Sequence, residues 1–275
     1  MKNILIIAAK EIQEGMRNRW VLATTLLLAA LALTLSFLGS APTGNVGVDP
    51  LDIVVVSLSS LTIFLVPLIA LLLSHDAIVG EMERGTMLLL LSYPLGRRQV
   101  IFGKFLGHLA ILSFATLFGY GAAALALALT GTAISGDGLG AFAAMIGSSV
   151  LLGAVFIAIG YLTSTLAAER STAGGIAIGI WLFFVLIYDM ALLGGLVAAQ
   201  GKALPAGLLD LLLIFNPTDA YRLLNLGSGG AGALAGLGGI AGHTALSPPI
   251  LLVALSVWII APLTLATTIF SRREL

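Results

Sequence analysis

The chain contains no cysteine. Disulfides, zinc–thiolate centres, thioether haem attachment and cysteine-ligated iron–sulfur clusters are therefore excluded. Histidine is scarce, three in 275 residues, and none stands in a His-Glu-x-x-His arrangement, so a zincin-type site is excluded too. Charge is the third shortage. Only 9% of residues are Asp, Glu, Lys or Arg, against about 25% in a soluble domain. The formal net charge is zero, which gives no general attraction to nucleic acid. A phosphate-cradling loop is missing as well. Gly103-Lys104 is followed by Phe105, and Gly201-Lys202 by Ala203, so no Gly-Lys-Ser/Thr exists. The glycine-rich tract 227–242 follows no strand and reads as a link.

What is present is apolar. Hydrophobic residues make up 59% of the chain, which places it among polytopic membrane proteins. A helix crossing a bilayer core needs about 20 apolar residues. Six stretches qualify: 20–38, 53–73, 105–130, 142–167, 173–197 and 250–270. Gly39-Ser40-Ala41 resembles a signal-peptidase site, but the run before it exceeds the usual apolar region of about 7–15 residues, so a retained span is expected. With six spans both termini share a side. That side collects every Lys and Arg except Lys202 and Arg222. The positive-inside rule then makes both termini cytoplasmic.

The chain reads as a single transmembrane domain over 1–275, with three segments outside the spans. Residues 1–19 form an amphipathic helix, with Ile4, Ala8, Ile12, Met16 and Trp20 on one side and Lys10, Glu11, Glu14 and Arg17 on the other. Lys10 and Glu14 are spaced for an ion pair. Such a helix suits the membrane interface; a helical basic flank is the plainer alternative. Residues 74–104 form the longest segment on the basic side. Residues 198–249 form a long outer segment, with an apolar part at 204–215 and then Asn216-Pro217-Thr218-Asp219-Ala220-Tyr221-Arg222. Asn-Pro stops a helix, and Thr218 or Asp219 is placed to cap the next, so a broken or re-entrant helical pair is expected. Outer loops are expected at 40–52 and about 135–140.

Catalytic constellations are missing from the sequence. Ser148 and Ser149 have no evident base. His75, His108 and His243 read as packed or interfacial side chains, and no metal site is expected. Asp189 falls in the fifth span, and an acid there is a functional candidate, although counting from Ala173 at about 1.5 Å per residue puts it near the outer edge. Gly175 and Gly179 form a Gly-x-x-x-Gly pair that permits close helix approach, within one subunit or between two.

The 80–104 segment, GEMERGTMLLLLSYPLGRRQVIFGK, encloses Met87 to Leu91 between Glu81, Glu83, Arg84, Arg97, Arg98 and Lys104. Bracketed by charge, the leucine run cannot span. It reads as a short helix ended by Tyr93-Pro94, with a second helix starting near Arg97 and running into the third span. Glu83-Arg84-Gly85-Thr86, the leucines, Pro94, Arg97 and Gly103-Lys104 resemble the signature of ABC-2 type exporter permeases. The resemblance implies an all-α membrane protein, type V exporter-like, with six transmembrane helices, an N-terminal elbow helix and a cytoplasmic coupling helix. It further implies a homodimer with a separate cytoplasmic ABC ATPase dimer that binds ATP and Mg. Coupling would fall to Glu81, Glu83, Arg84, Gly85, Thr86, Pro94 and Arg97, and the elbow to Lys10, Glu14, Arg17, Arg19 and Trp20.

Arg17-Asn18-Arg19-Trp20, His75 to Glu81, Ser92 to Arg97 and Asn216 to Leu223 carry a narrower resemblance, to the permeases of nitrous oxide reductase maturation. It implies a periplasmic β-helical partner, with Asn216, Pro217, Asp219, Tyr221 and Arg222 as its docking surface. Soft sulfur ligands suit a copper path, but only Met145 and Met190 lie in the expected spans. Export of a sulfur species, or mechanical remodelling of the partner, is therefore expected rather than copper conduction. Alternatives are export of a lipid or drug-like molecule, or secondary transport without ATP.

Overall fold

In a computed structural model, the described residues are 2–17, 19–39, 50–129, 136–198, 206–226 and 246–273. Among them the chain is helical and contains no strand. The helices are α1 (Lys2–Met16), α2 (Arg19–Gly39), α3 (Pro50–Ser74), α4 (Val79–Glu83), α5 (Thr86–Leu91), α6 (Arg97–Leu129), α7 (Gly136–Leu166), α8 (Arg170–Leu182), α9 (Tyr188–Ala198), α10 (Ala206–Phe215), α11 (Pro217–Leu226) and α12 (Pro248–Arg272). A π-helical segment, Phe183–Ile187, joins α8 to α9.

Five helical runs are long and apolar enough to cross a membrane: Val54–Glu83, Arg97–Ala126, Gly136–Leu166, Arg170–Gly195 and Pro248–Arg272. The number reaches six when Lys2–Met16 and Val21–Leu35, bent by 69°, are taken together as one broken span. Each of the six expected stretches lies mainly within helix. Gly136 to Gly140, expected in a link, belong to α7, and residues 130–135 lie outside the described residues.

The bundle is centred on α7, which packs against α3, α12 and α6. Phe156, Tyr161 and Val155 on α7 are fully buried, as are Leu58 and Val66 on α3 and Phe270 on α12. Small residues set the spacing. A Cβ on Gly153 would meet Leu112 at 2.1 Å, and one on Gly160 would meet the Ser74 hydroxyl at 1.9 Å. Close approach of backbones is how apolar helices associate where water gives no drive. The Arg170–Gly195 run, the fifth of the six expected spans, is different: only 17% of it is buried, against 67% for α7. Neither Gly175 nor Gly179 has any atom within 4 Å of a Cβ position, so neither packs against another helix within the described protomer.

Residues 74–104 leave α3 through a turn, form the two short helices α4 and α5, and enter α6. The leucine run forms the short helix α5, and a break before it separates it from α4. Gly85 makes that break with φ of 70°, in the left-handed region that glycine occupies without strain. In the long outer segment the broken pair is present as α10 and α11, separated at Asn216. Residues 199–205 and 227–245, including His243 and the glycine tract, lie outside the described residues, as do Asn18 and the side chain of Trp20.

Candidate functional site

The segment between α3 and α6 is fastened at its joints by side chains from other helices. Ser164 of α7 accepts hydrogen bonds from the backbone N–H of Ile78 (3.0 Å) and Val79 (3.1 Å), the free donors at the start of α4. At the other end of α4, Glu83 Oε1 accepts from the N–H of Arg170, the first residue of α8, at 2.6 Å. Asp76 adds an ion pair to Arg170 at 2.8 Å. Across the Gly85 break, Thr86 Oγ1 donates to Glu81 Oε2 at 2.5 Å. Glu81, Glu83, Gly85 and Thr86 thus define the corner between α4 and α5.

Lys104 lies beneath this corner. Its ammonium contacts Glu11 Oε1 of α1 at 2.5 Å and Glu81 Oε1 of α4 at 3.2 Å, and the side chain is 3% exposed. One buried cation therefore joins α1, α4 and α6. His108, one turn along α6, places Nε2 3.5 Å from Glu11 Oε2, while its Nδ1 is 2.8 Å from the Tyr161 hydroxyl of α7. The flanking glycines explain how α1 comes so close. A Cβ on Gly103 would be 2.6 Å from Ile7 Cβ, and one on Gly107 would be 2.5 Å from Glu11 Cβ. Asn3 Nδ2 also donates to Gln99 Oε1, near the start of α6.

The face of α1 turned to the protein holds Ile7, Ala8 and Glu11, while Leu5 and Ile6 are exposed. Glu11 was expected among the polar residues on the open side. Its pairing with Lys104 draws it inside. Lys10 and Glu14 form the expected i,i+4 pair at 3.2 Å on the exposed face. Arg17 and Arg19 are exposed beside the bend between α1 and α2.

Arg97 opens α6 and is committed elsewhere. Its Nη1 donates to the carbonyls of Phe270 (2.9 Å), Ser271 (3.2 Å) and Arg273 (2.6 Å), at the C-terminus of α12. Arg273 in turn donates to the carbonyls of Thr165, in the last turn of α7, and Ala167, just past it. Both arginines sit where free carbonyls and the helix dipole favour a cation. Arg97 was expected at a partner contact; here it anchors α6 to α12. What remains open on this end is Arg84, Gly85, Leu88 (59% exposed), Leu89 (68%), Tyr93 (67%) and Pro94, with Met87 buried beneath.

At the opposite end α11 is driven into the bundle. Asn216, Thr218, Asp219 and Tyr221 are buried. Asn216, Pro217, Asp219 and Tyr221, expected with Arg222 as a docking surface, are buried in the bundle instead, and Arg222 is half-buried. The physical reason is the hydrogen bonding. Asn216 Oδ1 accepts from the Thr218 N–H at 3.0 Å, so Asn216, rather than Thr218 or Asp219, caps α11. Asn216 Nδ2 donates to the Phe184 carbonyl in the π segment at 3.1 Å. Tyr221 meets Ser149 at 3.0 Å, and Ser148 donates to Asn225. Those serines are packing partners. Asp189 pairs with Arg222 at 2.5 Å.

Among the described residues no group of three or more His, Asp or Glu is placed to hold a metal ion. What the basic end provides is mechanical continuity: a surface helix pair joined by caps and one ion-pair hub to α6, α7, α8 and α1. Sequence reading found Glu81, Glu83 and the glycine–lysine pair. It did not single out Ser164, Asp76, Arg170 or the Lys104–Glu11 pairing, because each acts across a long stretch of chain. Gly103 and Gly107, four apart, were the one local signal of a close crossing.

Two kinds of comparison bear on this arrangement. A family model described as "ABC-2 family transporter protein" matches residues 5–275. The chain is 50% identical over 276 residues to "Probable ABC transporter permease protein NosY" of Pseudomonas aeruginosa strain PAO1, covering all of both chains. It is 47% identical over 278 residues to the protein of the same name in Stutzerimonas stutzeri, covering 99% of each. By sequence over its whole length, and by an all-helical structure with apolar spans, this chain belongs to the ABC-2 family of transporter permeases.

Proposed function

We propose that this permease is the transmembrane subunit of a complex that matures the copper–sulfide centre of periplasmic nitrous oxide reductase, and so serves denitrification. It would work as a homodimer in the bacterial inner membrane, with six spans per subunit and both termini cytoplasmic. A separate NosF-like ATPase dimer would bind ATP and Mg. A NosD-like β-helical protein would receive the movement in the periplasm. The chain itself has no catalytic role in this scheme, and no nucleic acid takes part.

The observation that carries the mechanical part is the Lys104 hub. Because one buried ammonium holds Glu11 and Glu81 together, displacement of the α4–α5 corner has to move α1 and α6 with it or break a desolvated ion pair. The exposed Leu88, Leu89 and Tyr93 suit a groove on the ATPase, and Arg84 is the polar contact beside them. The unpartnered face of the fifth span, with Gly175 and Gly179 open, suits packing against a second copy. The full-length likeness to two NosY permeases supports the particular system.

Copper conduction does not fit the residues. Met145 is buried in the bundle and Met190 is exposed on the fifth span, so they form no ladder of soft ligands. Export of a sulfur species or remodelling of the outer partner remains.

Solubilising native membranes in mild detergent and pulling down the chain tests the reading. A stoichiometric ATPase together with a β-helical periplasmic protein is expected. An ATPase without that protein would favour a lipid or drug-like cargo, and a lone chain would favour secondary transport. ATP-driven copper uptake into sealed vesicles holding only the complex would overturn the non-conducting mechanism.

A further inference from the structure

Helix α10 is lightly held. It packs chiefly on α11, and an apolar cleft lies on each side. One, of about 300 Å³, runs between Leu212 and the Tyr188, Ala191, Leu192 face of α9. The other, of about 460 Å³, separates Leu211 and Phe215 from Trp258 and Pro262 of α12. Two side-chain donors reach across: Tyr188 to the Leu212 carbonyl at 2.7 Å, and Trp258 Nε1 to the Ile214 carbonyl at 3.2 Å. The stronger attachment is the hinge. Asn216 and Thr218 both donate to the Phe184 carbonyl, inside a π-helical turn, whose altered register re-aims backbone groups.

The hinge is short of one positive charge. Arg222 Nη1 binds Asp219 Oδ1 at 2.6 Å and Nη2 binds Asp189 Oδ2 at 2.5 Å. Asn216 Nδ2 covers Asp219 Oδ2. Asp189 Oδ1 is buried and has no hydrogen-bond partner. Two carboxylates thus share one guanidinium, and one acceptor has no donor. The other described groups around α11 do not correct this. Tyr188 and Tyr221 are phenols. Asp210 on α10 is a further acid with a buried, unpaired Oδ1. The neighbouring parts of α7 and α3 contribute Ser148, Ser149, Ser59 and Thr62, Tyr120 comes from α6, and the only charged residue within α12, Arg272, is at the far end. An unbalanced charge buried in this way is costly.

We propose that the α11 hinge is a single-proton binding site, in which Asp219, sharing the Arg222 guanidinium with Asp189, takes up one exchangeable proton whose presence keeps the α10–α11 arm docked against the fifth span. Both carboxylates rest on the one Arg222 guanidinium, so a proton on Asp219 cancels the excess charge. Burial pushes the Asp219 carboxyl up to about 7, against the pull of Arg222 and helped by the Asp189 charge beside it. With the arm open and Asp219 in water, its ordinary value of 3.8 returns. The docked state therefore binds the proton more tightly. Its advantage is full at low pH and is lost as pH rises through about 7. A small alkali cation would cancel the same charge, and the test separates the two sources.

The full chain in lipid nanodiscs, followed by hydrogen–deuterium exchange corrected for intrinsic rates, provides the measurement. Protection of 206–226 is expected to fall about tenfold per pH unit between the open-state value of 3.8 and about 7, and to level off above it, as one-proton linkage requires. Asp219→Asn is expected to stay protected at all pH values, and Asp219→Glu to retain a transition at a shifted midpoint. An infrared carboxylic-acid band should appear on acidification of the wild-type chain and be missing from Asp219→Asn. A flat wild-type profile would overturn the proposal, as would an unchanged profile in Asp219→Asn. Protection that depends on Na⁺ or K⁺ at fixed pH, without the carboxylic-acid band, would assign the charge to a metal cation and equally overturn it.

Discussion

Lys104 is the residue on which the basic end depends. Replacing it with Met leaves Glu11 and Glu81 buried and unpaired, at a cost of about 3–5 kcal/mol. Thermal melting of the purified chain in detergent should show a large loss, and the triple change to Met at 11, 81 and 104 should recover much of it. No recovery would mean that Lys104 acts otherwise than as the partner of those two carboxylates. The neighbouring glycine makes an independent claim. A side chain at Gly103 has to push Ile7 and the Ile4 carbonyl aside, so Gly103→Leu should cost roughly 1–3 kcal/mol by overpacking, read in the same melt. The Gly-Lys pair of the motif thus has two physical jobs, close approach and charge, which the motif alone does not reveal.

Among the elements, α4 and α5 are too short to be stable by themselves. Their shape is imposed from outside. Ser164 supplies two hydrogen bonds at the start of α4, and leaving buried N–H groups unsatisfied costs about 1–3 kcal/mol each. Ser164→Ala should therefore raise hydrogen exchange at 77–83 while α7 itself stays protected. If exchange there did not change, the cap would not be holding the corner. The exposed face of α5 is expected to be dispensable for the fold but needed for the complex. Leu88→Ser with Leu89→Ser should leave the melting temperature of the isolated permease unchanged and reduce recovery of the ATPase in a pull-down by at least about tenfold, the loss of two buried leucines at an interface being worth more than 1.4 kcal/mol. Undiminished recovery would place the ATPase contact on another surface.

For the whole molecule the testable matter is orientation, and the lack of cysteine makes it accessible, since any introduced thiol is the sole one. Single cysteines at Asn3 and Arg98 should be blocked by a membrane-impermeant maleimide only after cells are opened, and one at Asn45 should react in intact spheroplasts. Labelling of Asn3 or Arg98 from outside would reverse the topology and, with it, the assignment of the α4–α5 corner to an ATPase.

Composition and the distribution of Lys and Arg were enough to establish a helical membrane protein with its charge gathered at one end, because the bilayer leaves few ways to satisfy a backbone and charge placement follows from insertion. The 80–104 motif marked the corner, since Gly85, Pro94 and the bracketing charges are local signals. Tertiary structure decided the rest. It moved Glu11 from the open face of α1 into an ion pair, turned Arg97 from a contact residue into a helix cap, and drew Asn216, Asp219 and Tyr221 inside. Glu11, Arg97, Asn216 and Tyr221 depend on partners between 32 and 176 positions away, and a buried polar side chain takes its role from the group that satisfies it, which periodicity and spacing do not contain.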